Sequence, residues 1–70
     1  MECQSVISSN LKEVCYESQT STLRIEFHNG NIYEYSYVPS AVHFALLNAS
    51  SKGRYFDVYI KDRFPTRKVW

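Results

Sequence analysis

Leu23-Arg24-Ile25-Glu26-Phe27-His28-Asn29-Gly30-Asn31-Ile32-Tyr33-Glu34-Tyr35-Ser36-Tyr37-Val38-Pro39 is the stretch on which the fold turns. Leu23, Ile25 and Phe27 alternate with Arg24, Glu26 and His28, which reads as a strand with one buried face. Asn29-Gly30 supplies residues that tolerate positive φ, the usual hairpin turn. Residues 31–38 then alternate Tyr33, Tyr35 and Tyr37 with Ile32, Glu34 and Ser36, a second strand that Val38-Pro39 should end, because proline lacks the ladder donor.

The hairpin has two possible registers. A two-residue turn at Asn29-Gly30 sets Phe27 opposite Ile32 and Arg24 opposite Tyr35. The tyrosines then share a face with Arg24, Glu26 and His28, an aromatic and charged platform on which single-stranded bases could stack. A three-residue turn with Gly30 in a left-handed bulge sets Phe27 opposite Asn31, Ile25 opposite Tyr33 and Leu23 opposite Tyr35. The tyrosines then join the core. A one-residue slip thus decides between surface and interior. The bulged form is favoured, because so short a chain needs that aromatic mass inside.

Working outward, residues 12–17 carry the β-formers Val14 and Tyr16 and read as a strand, joined to the next by Ser18-Gln19-Thr20. Residues 1–11 read as an extended arm with a polar turn at Ser8-Ser9-Asn10, whose side chains should bond their own backbone. After Pro39, Ser40 reads as a helix N-cap. Val42, Ala45, Leu46 and Ala49 fall on one helical face. Residues 51–64 fit either a strand (Phe56, Val58, Ile60) or a helical stripe (Phe56, Tyr59, Ile60, Arg63). A second helix is preferred, with Ser51 able to cap and Gly53 tolerable in a first turn, ending by Phe64-Pro65. Arg67-Lys68-Val69-Trp70 reads as a basic tail.

The expected fold is α+β: a three-stranded antiparallel meander with two helices on one face, in the order β-β-β-α-α, as one domain over residues 1–70. Its expected core is Val14, Leu23, Ile25, Phe27, Tyr35, Val42, Leu46, Phe56 and Ile60. A chain of 70 residues buries only about 60% of its unfolded surface. Six Tyr, four Phe and one Trp, each able to bury about 150–250 Å², offset that handicap.

Two cysteines, Cys3 and Cys15, are fewer than an oxidised mini-protein usually carries. The N-terminus has no secretory pattern, and no stretch approaches the roughly 18 apolar residues of a membrane helix. A cytoplasmic location with reduced thiols, and no membrane, is the expectation. Cys3, Cys15, His28 and His43 lack paired metal spacing. Nothing fixes a nucleophile against a base, two glycines make no phosphate loop, and the carboxylates are scattered. No enzyme, metal, cofactor or small-molecule substrate is expected.

Charge is uneven. Residues 1–50 carry Lys12 and Arg24 against Glu2, Glu13, Glu17, Glu26 and Glu34, a net −3, and residues 51–70 a net +4. Arg54, Lys61, Arg63, Arg67 and Lys68 are interleaved with Tyr55, Tyr59, Phe64 and Trp70. Cations neutralise phosphates and aromatics stack on bases. The candidate nucleic-acid-binding residues are therefore Arg54, Lys61, Arg63, Arg67 and Lys68, with Tyr33 and Tyr35 as stacking groups. RNA is the expected partner, with another protein as the alternative through an open sheet face or edge. The plain reading of the same residues is a solvated charged face.

In order along the chain stand Ser8-Ser9, Tyr16, Leu23-x-Ile25-x-Phe27, Asn29-Gly30, Tyr33-Glu34-Tyr35, Val38-Pro39, Ser51-x-Gly53, Tyr55-Phe56, Ile60 and Arg63-Phe64-Pro65. This ordered set resembles the KTSC domain, found at the C-terminus of some lysyl-tRNA synthetases and as a free-standing small bacterial protein. The chain departs from the family pattern at Cys15, where glycine is common, and at Phe64, where tyrosine is common. The resemblance implies no established activity. It implies RNA binding only through the family's attachment to a tRNA-charging enzyme.

Overall fold

A computed structural model describes all 70 residues. Its elements are β1 (Glu2–Ser5), β2 (Leu11–Glu17), β3 (Thr22–Phe27), β4 (Ile32–Tyr35), α1 (Ser40–Asn48), α2 (Lys52–Tyr59) and β5 (Thr66–Lys68). The strands form one antiparallel sheet in the order β1-β2-β3-β4-β5.

The α+β class and the two helices are as expected, but the sheet has five strands rather than three. The extra two are the edges. Every residue of β1 and of β5 is exposed. Neither strand carries the buried alternation by which a strand is recognised in a sequence. Backbone pairing with β2 and β4 is what makes them strands. The arm and the basic tail are thus parts of the sheet.

The hairpin takes the bulged register. Leu23 faces Tyr35, Ile25 faces Tyr33 and Arg24 faces Glu34. Phe27 N–H donates to Asn31 O, and Gly30 sits at φ +92° with its N–H donating to Phe27 O. A left-handed residue here is what inserts the extra turn position. The second strand ends early, at Tyr35, because Tyr37 adopts φ +63° and turns its exposed ring away from the sheet. Pro39, not Ser40, is the N-cap of α1. Its carbonyl accepts from Val42 and His43 N–H, and no side chain caps the helix. Ser51 caps α2 as expected, accepting from Arg54 N–H. Helix α2 stops before Pro65 acts, as the chain reverses through Asp62 at φ +61°.

One face of the sheet is dry. Val14, Tyr16, Leu23, Ile25 and Tyr35 join Leu46 of α1 and Phe56 of α2 in a single cluster with Leu11, Val38 and Ile60. Phe27 and Val42, expected in the core, are partly buried and pack against it. Leu11, Tyr16 and Val38 are core residues the periodicity did not single out. Each aliphatic side chain fully buried there contributes about 1.5–3 kcal/mol. Phe56 meets Phe27 and Tyr35 edge-on, with ring centroids 5.4 and 5.6 Å apart. The Tyr16 hydroxyl donates to Val38 O at 2.6 Å, which satisfies a buried carbonyl at the entry to α1.

Candidate nucleic-acid interface

Strand alternation sorts the candidate residues onto two faces. Tyr33 and Tyr35 point to the helix side of β4, as their partners Ile25 and Leu23 do. Lys68 lies opposite Tyr33 and shares that side. Arg67, one residue earlier, lies opposite Glu34 on the outer face.

There Glu34 serves two arginines. Arg24 Nη2 donates to Oε2 at 2.6 Å, and Arg67 Nη2 donates to Oε1 at 2.9 Å. Hydrogen bonds from Arg24 first, then Arg67, hold the Glu34 carboxyl below the usual carboxylate range. Arg67 thus pairs with Glu34 on the outer face while most of its side chain stays exposed. The cationic residues named from the sequence are split between two faces: Arg67 is on one side of β5, Lys68 on the other, and Arg54, Lys61 and Arg63 are exposed on and just after α2.

The helix side holds the one place where several candidates converge. A cleft of about 300 Å³ opens between the hairpin tip and α2. Phe27, Tyr33, Tyr35 and Phe56 form its aromatic floor and wall. Tyr35 is only 4% exposed and serves as floor, and burial raises its phenol pKa. Tyr33 is half-buried and meets Phe27 edge-on at 5.9 Å. Around this floor stand three amides, Asn10, Asn29 and Asn31, and two opposite charges, Asp57 and Lys61.

Local hydrogen bonds build the rim. Ser8 Oγ accepts from the N–H groups of Asn10 and Leu11, so the polar turn bonds itself as its residues suggested. His28 ties the hairpin to this turn twice: its N–H donates to Asn10 O, and its Nε2 lies 2.9 Å from Ser8 O. Asn29 Oδ1 accepts from Asn31 N–H, which braces the tip. At the far end, Lys61 N–H donates back to Phe56 O, fixing the residue that carries the ammonium at the rim. Of the seven residues named from the sequence, the cleft gathers Lys61, Tyr33 and Tyr35, with Lys68 on the same side of the sheet. It adds Asn10, Asn29, Asn31 and Asp57. Their signal is weak in a sequence, because amides in turns read as turn formers.

The thiols depart from expectation. Cys3 and Cys15 face each other across β1 and β2 and are joined as a disulfide, with Glu13 Oε1 3.7 Å from Cys15 Sγ. No helix is long and apolar enough to cross a membrane.

A sequence model of the KTSC domain matches residues 7–64. The chain is 52% identical over 56 residues to the lysine–tRNA ligase of Trichormus variabilis, covering 80% of this chain and 10% of that protein. It thus spans about a tenth of that relative's length. It is also 41% identical over 54 residues to an uncharacterized protein of Stutzerimonas stutzeri, covering 77% of this chain and 76% of the other. The crystal structure of a KTSC domain protein from Yersinia pestis matches with a TM-score of 0.92 and 37% identity, covering 99% of this chain and 97% of that one.

Proposed function

The chain belongs to the KTSC domain family, and on that footing we propose that it is a non-enzymatic RNA-binding module, one domain over residues 1–70, that seats an unpaired base of a structured RNA such as tRNA. The observation that carries this reading is the cleft between the hairpin tip and α2. Its volume of about 300 Å³ lies at the small end of ligand sites, enough for one base. Its aromatic floor offers a surface for stacking, and its amides offer both donors and acceptors for a base edge. Lys61 at the rim supplies a phosphate contact, with Lys68, Arg54 and Arg63 as flanking cations on exposed positions.

Arg67 drops out of the contact set, because Glu34 holds it on the opposite face. Tyr35 supports the floor from beneath, and Tyr33 is the ring an incoming base meets. Further support comes from domain company: a region half identical to this chain is part of a lysine–tRNA ligase. RNA as ligand places the working compartment in the cytoplasm.

The test is a gel-shift titration with tRNA and with a fully paired duplex RNA of equal length, at low and at physiological salt. Binding should favour tRNA and weaken steeply with salt. Equal affinity for the paired duplex overturns the unpaired-base reading. No shift at tens of micromolar protein overturns RNA binding altogether. A second reading, protein interaction, draws on exposed Phe44, Val58 and Tyr59 on the helices. Partners that co-purify after nuclease treatment favour that reading instead.

A further inference from the structure

The outer face of the sheet carries a covalent feature that RNA binding does not use. Val6 N–H donates to Lys12 O, three pairs along the ladder from Cys3 and Cys15. That phase makes Cys3–Cys15 a narrow, non-hydrogen-bonded pair, the position at which side chains on adjacent strands stand closest. The two cysteines have unlike surroundings. Cys15 is 4% exposed, whereas Cys3 is exposed, along with the rest of β1. The Glu13 carboxylate lies beside both sulfurs, 3.7 Å from that of Cys15 and within 4.8 Å of that of Cys3. Arg24, across from Cys15 on β3, is already paired with Glu34.

We propose that Cys3–Cys15 is a reversible thiol–disulfide site, opened by an external thiol at Cys3, that latches β1 onto the sheet. The exposed residue directs the chemistry. An incoming thiolate attacks Cys3 Sγ and forms a mixed disulfide there. The Cys3–Cys15 bond breaks, and its electron pair leaves on Cys15 Sγ, which takes a proton from solvent. Glu13 accepts a hydrogen bond from the resulting thiol, which keeps Cys15 protonated and slows its return to Cys3. A second external thiol then displaces the first as a small-molecule disulfide and frees the Cys3 thiol. Two external thiols have been oxidised, and the protein has gained two electrons and two protons. A small-molecule disulfide runs the sequence backwards.

Opening matters because little else secures β1. No residue of β1 belongs to the core cluster. What remains is the backbone ladder to β2, the partly buried Val6 just after the strand, and a surface ion pair between the Met1 ammonium and Glu17 at 3.2 Å. Releasing β1 uncovers the edge of β2, whose inward side chains stay in the core.

The experiment uses the whole chain in glutathione buffers of graded thiol-to-disulfide ratio, with acid quench, alkylation and mass spectrometry. A reversible titration between disulfide and dithiol is expected, with the trapped glutathione adduct on Cys3. An adduct chiefly on Cys15, or a reduced chain that never closes in glutathione disulfide, overturns the proposal. Hydrogen exchange on the two forms reads the latch. Reduction should speed exchange by about tenfold or more at the β1–β2 ladder and leave β3–β4 unchanged; equal protection in both forms overturns it. Glu13→Gln should move the titration toward the disulfide without altering the thermal stability of the oxidised form. An unmoved titration removes Glu13 from the step. The Cys3→Ser, Cys15→Ser double variant should show the reduced exchange pattern in every buffer, and protection equal to the oxidised chain counts against the latch.

Discussion

Only two glycines occur in the chain, and the structure assigns them opposite responses to the same substitution. Gly30 stands at φ +92° in the hairpin turn, and a Cβ built there meets nothing within 4 Å. Gly30→Ala therefore costs no packing. Its cost is the left-handed backbone, about 1–2 kcal/mol for a residue with a Cβ. Gly53 has ordinary negative φ in the first turn of α2, and a Cβ there meets Asn10 Nδ2 and Ser8 Oγ at 3.8 Å, normal contact distance. Gly53→Ala should stabilise by about 0.5–1 kcal/mol, because alanine loses less backbone freedom in a helix. In a domain of this size 1 kcal/mol moves the melting temperature by about 4–8 °C. The two variants should thus separate by about 6–24 °C, with the parent between them. Urea denaturation followed by circular dichroism checks the same ordering, with the slope unchanged. If Gly30→Ala melts with or above the parent, the turn has no left-handed residue. The bulged register would then fall, and with it the placement of Tyr33 and Tyr35 on the cleft side.

Four more outcomes follow from named contacts. Tyr16→Phe removes the donor to Val38 O and leaves a buried carbonyl unpaired, so it should cost about 1–3 kcal/mol in denaturant titration with the fold intact. Glu34→Gln should flatten the acid limb of the stability profile. The Glu34 carboxyl is held low in the folded state, so its contribution is present above the ordinary carboxylate range and is lost as pH falls through the depressed value. Lys61→Ala should weaken tRNA binding and reduce the salt slope by about one phosphate contact. Arg67→Ala, on the other face, should leave both unchanged; a loss equal to that of Lys61→Ala would move the interface to the outer sheet.

The centre of the fold was legible because it buries one face of each element. Leu23-x-Ile25-x-Phe27 announced β3, and Asn29-Gly30 announced its turn. The register followed from a chain-length argument: without Tyr33 and Tyr35 inside, the core lacks aromatic mass. The edges were illegible for the converse reason. Glu2–Ser5 and Thr66–Lys68 bury nothing, so no periodicity marks them, and only a neighbouring strand makes them β. Missing β1 hid the disulfide. Cys3 and Cys15 stand symmetrically about Ser9, which is the register of a hairpin turning at Ser8-Ser9-Asn10. A search for Cys-x-x-Cys spacing does not detect a pair brought together across strands.

The same alternation explains the partial legibility of the interface. A run of cations in sequence reads as one patch, but adjacent residues of a strand face opposite ways. Arg67 and Lys68 were therefore separated as soon as β5 formed. Lys61 and Tyr33 stayed together because α2 lies across the helix side of β4 and brings its C-terminal end beside the hairpin. The amides of the rim come from two turns distant in sequence, joined through His28, and no local pattern signals that junction.

Backbone amide shifts of the isotopically labelled chain, titrated with tRNA, address the proposed interface most directly. Perturbations should concentrate at Asn10, Asn29, Asn31, Tyr33 and Lys61, with Arg24, Glu34 and Arg67 still. Shifts centred instead on those outer-face residues, or no shifts at saturating RNA, would contradict the assignment of the cleft as the place where RNA binds.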